Sequence, residues 1–191
     1  MLEELGLPGA WSGMIVYCGG AIVLLAMFLT GRFPMPNFGP RLLFAGAAIG
    51  AAFSLYATSL VLTDVVRSLL LFYLTPIWGT LLGIIFLKEK LTLSRLIALL
   101  MALAGLLVVL GLGASVPLPR NLGDWLALAS GAFWAYGSLR LYQLEQATGF
   151  EQVSAFVFGS LAVTLATMIV APSIFVAGTS PFEAFAHLHW G

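Results

Sequence analysis

The chain has 191 residues, no net charge, and only 8% charged residues against 61% hydrophobic ones. Its mean hydropathy is +1.05, whereas a soluble domain carries about 25% charged residues. This composition excludes a soluble globule, and the zero net charge gives no reason to expect nucleic acid as a partner. The single cysteine, Cys18, allows no internal disulfide, and no Cys/His cluster indicates a metal site. We therefore expect an all-α membrane protein with no metal and no cofactor.

Six apolar stretches approach the roughly 20 residues that a helix needs to cross a bilayer. Because backbone polar groups in hydrocarbon must be satisfied internally, we predict that all six are helices. They cover residues 12–30, 42–62, 65–87, 96–113, 123–143 and 152–170, the last with an alternative end at 176. Together they make up a single membrane domain over residues 1–191.

Basic residues predict the orientation of these helices. Six of the eight flank or occupy the loops after the first, third and fifth helices, whereas Arg67 and Arg120 lie on the opposite side. The positive-inside rule then places the N-terminus outside and the loop after the third helix in the cytoplasm. No cleavable signal peptide is visible, because Glu3 and Glu4 stand where a basic region is needed. We therefore expect that a further helix precedes the first one.

Small residues recur at four-residue spacing in three of the predicted helices. The pairs are Gly46 with Gly50 and Gly79 with Gly83, and a longer series runs through Gly123, Ala127, Gly131 and Ala135. This spacing lets helix backbones approach closely in a membrane. It predicts packing and says little about function.

The start of the third helix carries two charges. Asp64 is placed as its N-cap, and Arg67 follows three residues later, where it can pair with Asp64 in an interfacial clamp. Alternatively, Arg67 faces the interior of the bundle and attracts a carboxylate, since ionisable residues inside a span are functional candidates. The sequence leaves both readings open.

Pro76 lies near the middle of the third helix and frees the carbonyl of Phe72. It predicts either a functional hinge or a structural kink. Arg67 and Trp78 are eleven residues apart, so a continuous helix would place them on one face.

Four aromatic side chains fall near the middle of predicted spans: Tyr73, Trp78, Trp134 and Tyr136. Each carries an N–H or O–H that lipid cannot satisfy. They predict either a wet cavity, of the kind in which secondary transporters bind substrate, or hydrogen-bonded packing inside the bundle.

The cytoplasmic end of the third helix reads Lys88-Glu89-Lys90. The lysines suit a helix C-terminus, whereas Glu89 does not, which predicts a specific partner for Glu89.

Sequence motifs that would indicate an enzyme are weak. The two histidines, His187 and His189, lie in the final tail, there is no phosphate-binding GxxxxGK[ST] loop, and the spans lack a converging acid, base and nucleophile. We expect no enzyme activity.

Three segments together carry a family resemblance: LFYLTPIW at 71–78, FLKEKLT at 86–92, and the small-residue helix at 97–111 with Ala104-Gly105. They resemble the EamA-type transporters of the drug/metabolite transporter superfamily, although Lys88 stands where that family frequently has glycine. The resemblance implies ten helices in two inverted five-helix repeats. Residues 12–114 would be the second to fifth helices of the first repeat, and residues 123–178 the first two of the second. We therefore expect the chain to be part of a longer one.

The third helix around Arg67 and Tyr73 looks similar to that of aromatic amino acid exporters. The resemblance implies a secondary-active transporter, multi-pass in a bacterial inner membrane, that exports small metabolites such as amino acids, including aromatic ones. Its substrate path would comprise Arg67, Tyr73, Trp78, Trp134 and Tyr136, with Pro76 as hinge and Glu89 as a cytoplasmic motif. Its partners would be the small-molecule substrate, the lipid bilayer, the missing helices of the full-length chain and a second copy in a homodimer, with no nucleic acid. The alternative is a non-transporting six-helix scaffold or subunit.

Overall fold

The computed structural model describes residues 9–31, 39–109, 118–144 and 147–170. These ranges form seven α-helices and contain no strand, which confirms the predicted all-α class. The helices are α1 (Gly9–Leu29), α2 (Pro40–Leu62), α3 (Val65–Phe72), α4 (Thr75–Leu87), α5 (Leu93–Val109), α6 (Leu122–Tyr142) and α7 (Gly149–Val170). Because α3 and α4 together make up the predicted third span, the seven helices correspond to the six predicted segments.

Three segments within the described ranges are long and apolar enough to cross a bilayer by length and composition: Pro40–Leu62, Val65–Leu87 and Gly149–Val170. Gly13–Leu29 and Leu93–Leu106 are shorter apolar helices. Although α6 has 21 residues, it carries Asp124, Arg140 and several small or polar side chains. Its buried face packs against α2, α3 and α4, so these polar groups meet protein as well as lipid.

The centre of the bundle is α2, which packs against α6 and α7 over most of its length. Its buried face consists largely of alanine, glycine and serine. A Cβ atom added at Gly46 would lie 2.2 Å from the backbone oxygen of Ala155, and one at Gly50 would lie 2.5 Å from the Cα atom of Ser160. The Gly46–Gly50 spacing therefore marks a close backbone contact, as predicted. Gly79 differs, because a Cβ atom there would meet nothing within 4 Å.

The remaining helices surround this centre unevenly. Helix α1 packs on α7 and α2, whereas α3 and α4 pack on α6. By contrast, α5 is mostly exposed, with large apolar side chains such as Leu93, Leu100 and Met101 on its surface. The described part of the chain thus has a tight α2–α6–α7 core and a loosely attached α5.

The Gly46 contact predicts that even one methyl group will disturb the α2–α7 interface. We expect Gly46→Ala to lower the free energy of unfolding by about 1–3 kcal/mol, because the Ala155 backbone cannot move aside as a side chain could. Gly105→Ala on α5 is the control, since a Cβ atom there meets nothing within 4 Å. This variant should be neutral or stabilised by up to about 1 kcal/mol through helix propensity. Thermal unfolding of both variants in detergent tests this, and equal midpoints would contradict it.

Candidate functional site

The third span is interrupted at Tyr73 and Leu74, between α3 and α4. Pro76, at the start of α4, has no N–H to give to the Phe72 carbonyl four residues earlier. The Thr75 hydroxyl donates to that carbonyl instead. The segment 65–87 is therefore one apolar span divided into two helices, and the break at Tyr73 and Leu74 agrees with the kink predicted from Pro76. Arg67 lies on α3 and Trp78 on α4, and their placement on a shared face stays a prediction.

A glycine on α6 makes room for this interruption. A Cβ atom at Gly131 would lie 2.9 Å from the Phe72 carbonyl oxygen and 3.0 Å from Thr75 Oγ1. Because Gly131 has no side chain, the Phe72 carbonyl and the Thr75 hydroxyl that donates to it can lie directly against α6. The small-residue series of α6 thus supports the break in the neighbouring span as well as helix packing.

Two cavities open beside the interruption. The smaller has a volume of about 300 Å³ and is lined by Ala52, Phe53, Tyr56, Phe72, Tyr73 and Trp134. The larger, of about 490 Å³, is lined by Phe72, Tyr73, Thr75, Pro76, Gly79, Trp134, Ala135, Ser138 and Leu139. Because they share Phe72, Tyr73 and Trp134, we treat them as one site and call it the aromatic cavity.

The rings of the aromatic cavity contact one another mainly edge to face. The Phe53 and Trp134 centroids are 5.4 Å apart at an interplanar angle of 81°. Those of Tyr56 and Phe72 are 4.8 Å apart, and those of Phe72 and Tyr73 are 5.8 Å apart. Such rings present both π faces and polar edges, and the tyrosines add hydroxyl groups. The arrangement suits a small, partly aromatic molecule.

The predicted site residues do not all lie together. Tyr73 and Trp134 line the aromatic cavity, and Pro76 lines its larger part. Trp78 lies on α4 outside this lining, and its buried Nε1 atom has no hydrogen-bond partner among the described residues. Tyr136 lies instead beside Phe86 and Arg140, with 6.1 Å between its ring centroid and that of Phe86.

Arg67 lies in a cluster where α3 and α6 begin. Its guanidinium forms an ion pair with Asp124, which is fully buried, and donates to the Leu118 carbonyl at 2.9 Å. Asp64 acts as the N-cap of α3, since its side chain accepts from the backbone nitrogens of Val66 and Arg67. The predicted N-cap is therefore confirmed, but the partner of the Arg67 side chain is Asp124 and not Asp64.

Further hydrogen bonds to Asp124 complete this cluster. Its carboxylate accepts from Thr63 Oγ1 at 2.7 Å and from the Arg120 backbone nitrogen at 2.9 Å. The Asn121 side chain caps α6 by accepting from the Asp124 backbone nitrogen, and it also donates to Thr63 Oγ1. The buried carboxylate thus has a charged partner and two further donors, which is what a buried charge requires. The cluster ties the end of α2 to the starts of α3 and α6.

Glu89 lies at the other end of the third span, just after α4. Its carboxylate forms an ion pair with Arg95 in the first turn of α5. Lys88 ends α4 in the left-handed conformation, at φ 54°, which turns the chain toward α5. A carboxylate is unfavourable at a helix C-terminus, so the sequence predicted a specific partner for Glu89. That partner is Arg95.

The sequence analysis missed several residues that shape the site. Phe53 and Tyr56 on α2 line the aromatic cavity, as does Phe72. The sequence could have indicated Phe53 and Tyr56, because these two aromatic residues are three apart, and therefore on one face, in a helix otherwise rich in small residues. Asp124 was also missed as the partner of Arg67. His187 and His189 lie outside the described residues.

The fold defines a polytopic α-helical membrane protein, and the aromatic cavity lies between its helices. Residues 6–111, more than half of the chain, match the EamA-like transporter family. The chain therefore belongs to that family of membrane transporters, as the sequence resemblance indicated.

A solved structure described only as "Crystal structure of protein" has a similar fold. It aligns with a TM-score of 0.61 and 22% sequence identity over 86% of this chain. At this identity the likeness concerns the fold alone. The chain spans 58% of the length of that structure. No curated protein sequence matches the chain.

The buried carboxylate predicts a large cost for removing its charge. We expect Asp124→Asn to lower the free energy of unfolding by about 2 kcal/mol or more, because it leaves Arg67 without its counter-charge. Asp64→Asn is the matched control, since asparagine caps a helix as well as aspartate does. Equilibrium unfolding in mild detergent compares the two variants. The assignment of the pair fails if Asp64→Asn costs as much as Asp124→Asn.

The Thr75 hydroxyl predicts a second measurable effect. Thr75→Val keeps the shape of the side chain but removes the donor to the Phe72 carbonyl, so we expect a loss of about 1–2 kcal/mol. Thr80→Val on the same helix is the control. There the hydroxyl donates at 2.8 Å to the Pro76 carbonyl on an exposed face, and loss of the bond should cost little. Thermal melting of both variants measures the two losses of stability. Similar losses would show that the hydrogen bond from Thr75 has no special role.

Proposed function

We propose that the protein is a secondary-active transporter that exports small metabolites, namely amino acids and particularly those with aromatic side chains. Family membership supports membrane transport as the general activity. The observation that carries the finer proposal is the aromatic cavity, which lies beside an interruption in a membrane span. Secondary transporters bind their substrates at such interrupted helices near the bilayer centre.

The lining of the aromatic cavity supports an aromatic substrate. Phe53, Phe72 and Trp134 offer ring faces and edges, and the volume of about 300 Å³ is the size of a small-ligand pocket. Tyr56 and Tyr73 add hydroxyl groups, and Thr75 and Ser138 line the adjoining space. A planar ring with a polar backbone would thus find apolar contacts at one end and hydrogen-bond partners at the other.

The predicted site residues take different roles under this proposal. Tyr73 and Trp134 contact the ring of the substrate, whereas Trp78 and Tyr136 contact it at other points of its passage. Arg67 meets the substrate carboxylate when that group competes with Asp124 for the guanidinium. The free donor of Trp78 would find an acceptor on the same path.

The interruption at Tyr73 and Leu74 also supports movement by alternating access. Helix α3 is tied to the start of α6 through Arg67 and Asp124, whereas α4 continues into the Glu89–Arg95 ion pair. A change of backbone angle at two residues would therefore tilt α4 relative to α3 and expose the aromatic cavity to either side. Pro76 keeps the two halves from merging into one helix.

The proposal also covers the membrane in which the protein lies and its partners there. We place the chain in a bacterial inner membrane, where a small-molecule substrate crosses the lipid bilayer. Its further partners are the remaining helices of a longer chain and a second copy in a homodimer. Transport assays should therefore use the full-length protein.

Replacing the ring at the centre of the aromatic cavity tests the proposal. We expect Trp134→Ala to lower export of a radiolabelled aromatic amino acid by about tenfold or more, since a loss of 1.4 kcal/mol of binding is a factor of ten. Trp125→Ala is the control, because this tryptophan lies on the same helix and is 58% exposed. Export from loaded cells or proteoliposomes should then stay within about twofold, as expected for a surface substitution.

A second substrate makes this test specific. Trp134→Ala should impair export of the aromatic amino acid more than export of an aliphatic one, because only the aromatic substrate loses a ring contact. Equal loss for both substrates would argue against an aromatic preference. Unchanged export in a stably folded Trp134→Ala variant would contradict the aromatic cavity as the substrate site.

A further inference from the structure

A third cavity lies near the end of the α2–α6 interface that is farther from the Arg67–Asp124 cluster. It has a volume of about 360 Å³ and is lined by Arg41, Phe44, Tyr136, Arg140, Gln143 and Leu144. We call it the basic pocket, because its lining among the described residues includes two guanidinium groups and no carboxylate. The residues that line the basic pocket differ from those of the aromatic cavity.

The Arg140 side chain is held in place by neutral groups. Its Cζ atom lies 4.9 Å from the centre of the Phe86 ring and 5.0 Å from that of Tyr136. Its Nη1 atom donates to Gln143 Oε1 at 3.1 Å. Cation–π contacts of this kind orient a guanidinium without neutralising it. Arg140 is therefore fixed while its positive charge remains uncompensated by these neighbours.

Ion pairing within the described residues does not involve either arginine. The two salt bridges found there join Arg67 to Asp124 and Arg95 to Glu89. A cavity that concentrates two positive charges favours an anion, because an arginine without a counter-charge gains most from a phosphate or a carboxylate.

The start of α2 adds further positive potential to the same place. Arg41 is in the first turn of α2, where no acidic residue lies and the N-cap Gly39 provides no side-chain acceptor. Pro40 has no N–H group, and the N–H groups of Leu42 and Leu43 donate to the Gly39 carbonyl, so the contribution of this helix end is its dipole, which is positive here. Two arginines, one of them at the positive end of a helix dipole, thus line one pocket.

Apolar residues and the membrane orientation indicate the source of the anion. Phe44 is largely exposed beside Arg41, so a ligand here meets both charge and an apolar surface. The sequence assigns Arg41 and Arg140 to the cytoplasmic side, where anionic phospholipid head groups accumulate. We propose that the basic pocket binds the phosphate group of an anionic phospholipid from the cytoplasmic leaflet, with its acyl chains against the exposed Leu43 and Phe44 side chains at the start of α2.

Lipid binding to the purified full-length protein tests this proposal. The delipidated protein is titrated with phosphatidylglycerol or with phosphatidylcholine in mixed micelles, and bound lipid is counted by native mass spectrometry. We expect tighter binding of phosphatidylglycerol, weakened about fivefold by Arg41→Gln or Arg140→Gln and about 25-fold by both, from about 1 kcal/mol for each arginine. Arg120→Gln removes the same charge at the opposite end of the bundle and should leave the preference unchanged.

A conservative double variant adds a further comparison. The Arg41→Lys and Arg140→Lys double variant should keep the lipid preference, because a lysine still offers a point charge to phosphate. Retained folding of each variant is checked by circular dichroism and gel filtration. Equal binding of both lipids, or an unchanged preference in the double glutamine variant, overturns the proposal.

Soluble phosphate separates the two sources of the anion. Inorganic phosphate or glycerol 3-phosphate, added at millimolar concentration, should not displace phosphatidylglycerol, since neither carries acyl chains that can contact Phe44. Displacement by either soluble anion would overturn the assignment to a lipid and identify a site for free phosphate compounds. The readout is lipid occupancy, so it is independent of whether the transport proposal holds.

Discussion

The close approach of α2 to its neighbours is the constraint on which the rest of the bundle depends. Between helices in lipid there is little hydrophobic driving force, so association rests on backbone proximity and interhelical contacts. Gly46 and Gly50 bring α2 against the backbone of α7, and Gly137 brings α6 against Ile49 of α2. Helices α1, α3 and α4 then pack around this core. A larger residue at these positions would move every helix that carries the site.

Three polar or aromatic sites lie at different points along the pairing of α2 with α6. At one end Asp124 holds Thr63 and Arg67. Beside the interruption of the third span, rings from α2, α3 and α6 enclose the aromatic cavity. Toward the other end Arg41 and Arg140 share the basic pocket. Because α2 and α6 are helices in close contact, they can hold these sites at fixed separations.

Much of the fold could be predicted from the sequence because hydropathy and capping are local signals. The helical segments, the Asp64 N-cap and the release of the Phe72 carbonyl by Pro76 all depend on residues near one another in the chain. The partner of Arg67 could not be found in this way, since Asp124 is 57 residues away and is equally well explained as an acidic residue in a first helical turn. The sequence also could not separate Trp134 from Tyr136 by cavity. Residues two apart on a helix point in nearly opposite directions, so only one of them lines the aromatic cavity.

The polar character of α6 has a consequence for biogenesis. Asp124 and Arg140 lie in the first and last turns of α6, but its many small and polar residues leave it less apolar than the three spans that meet the length and hydropathy requirement. Protein surfaces already in the bilayer would therefore favour its insertion. Arg67 and the glycine face of α2 both precede α6 in the chain, so the ribosome delivers the counter-charge and the docking surface first. The order of synthesis thereby matches the order in which the bundle can be assembled.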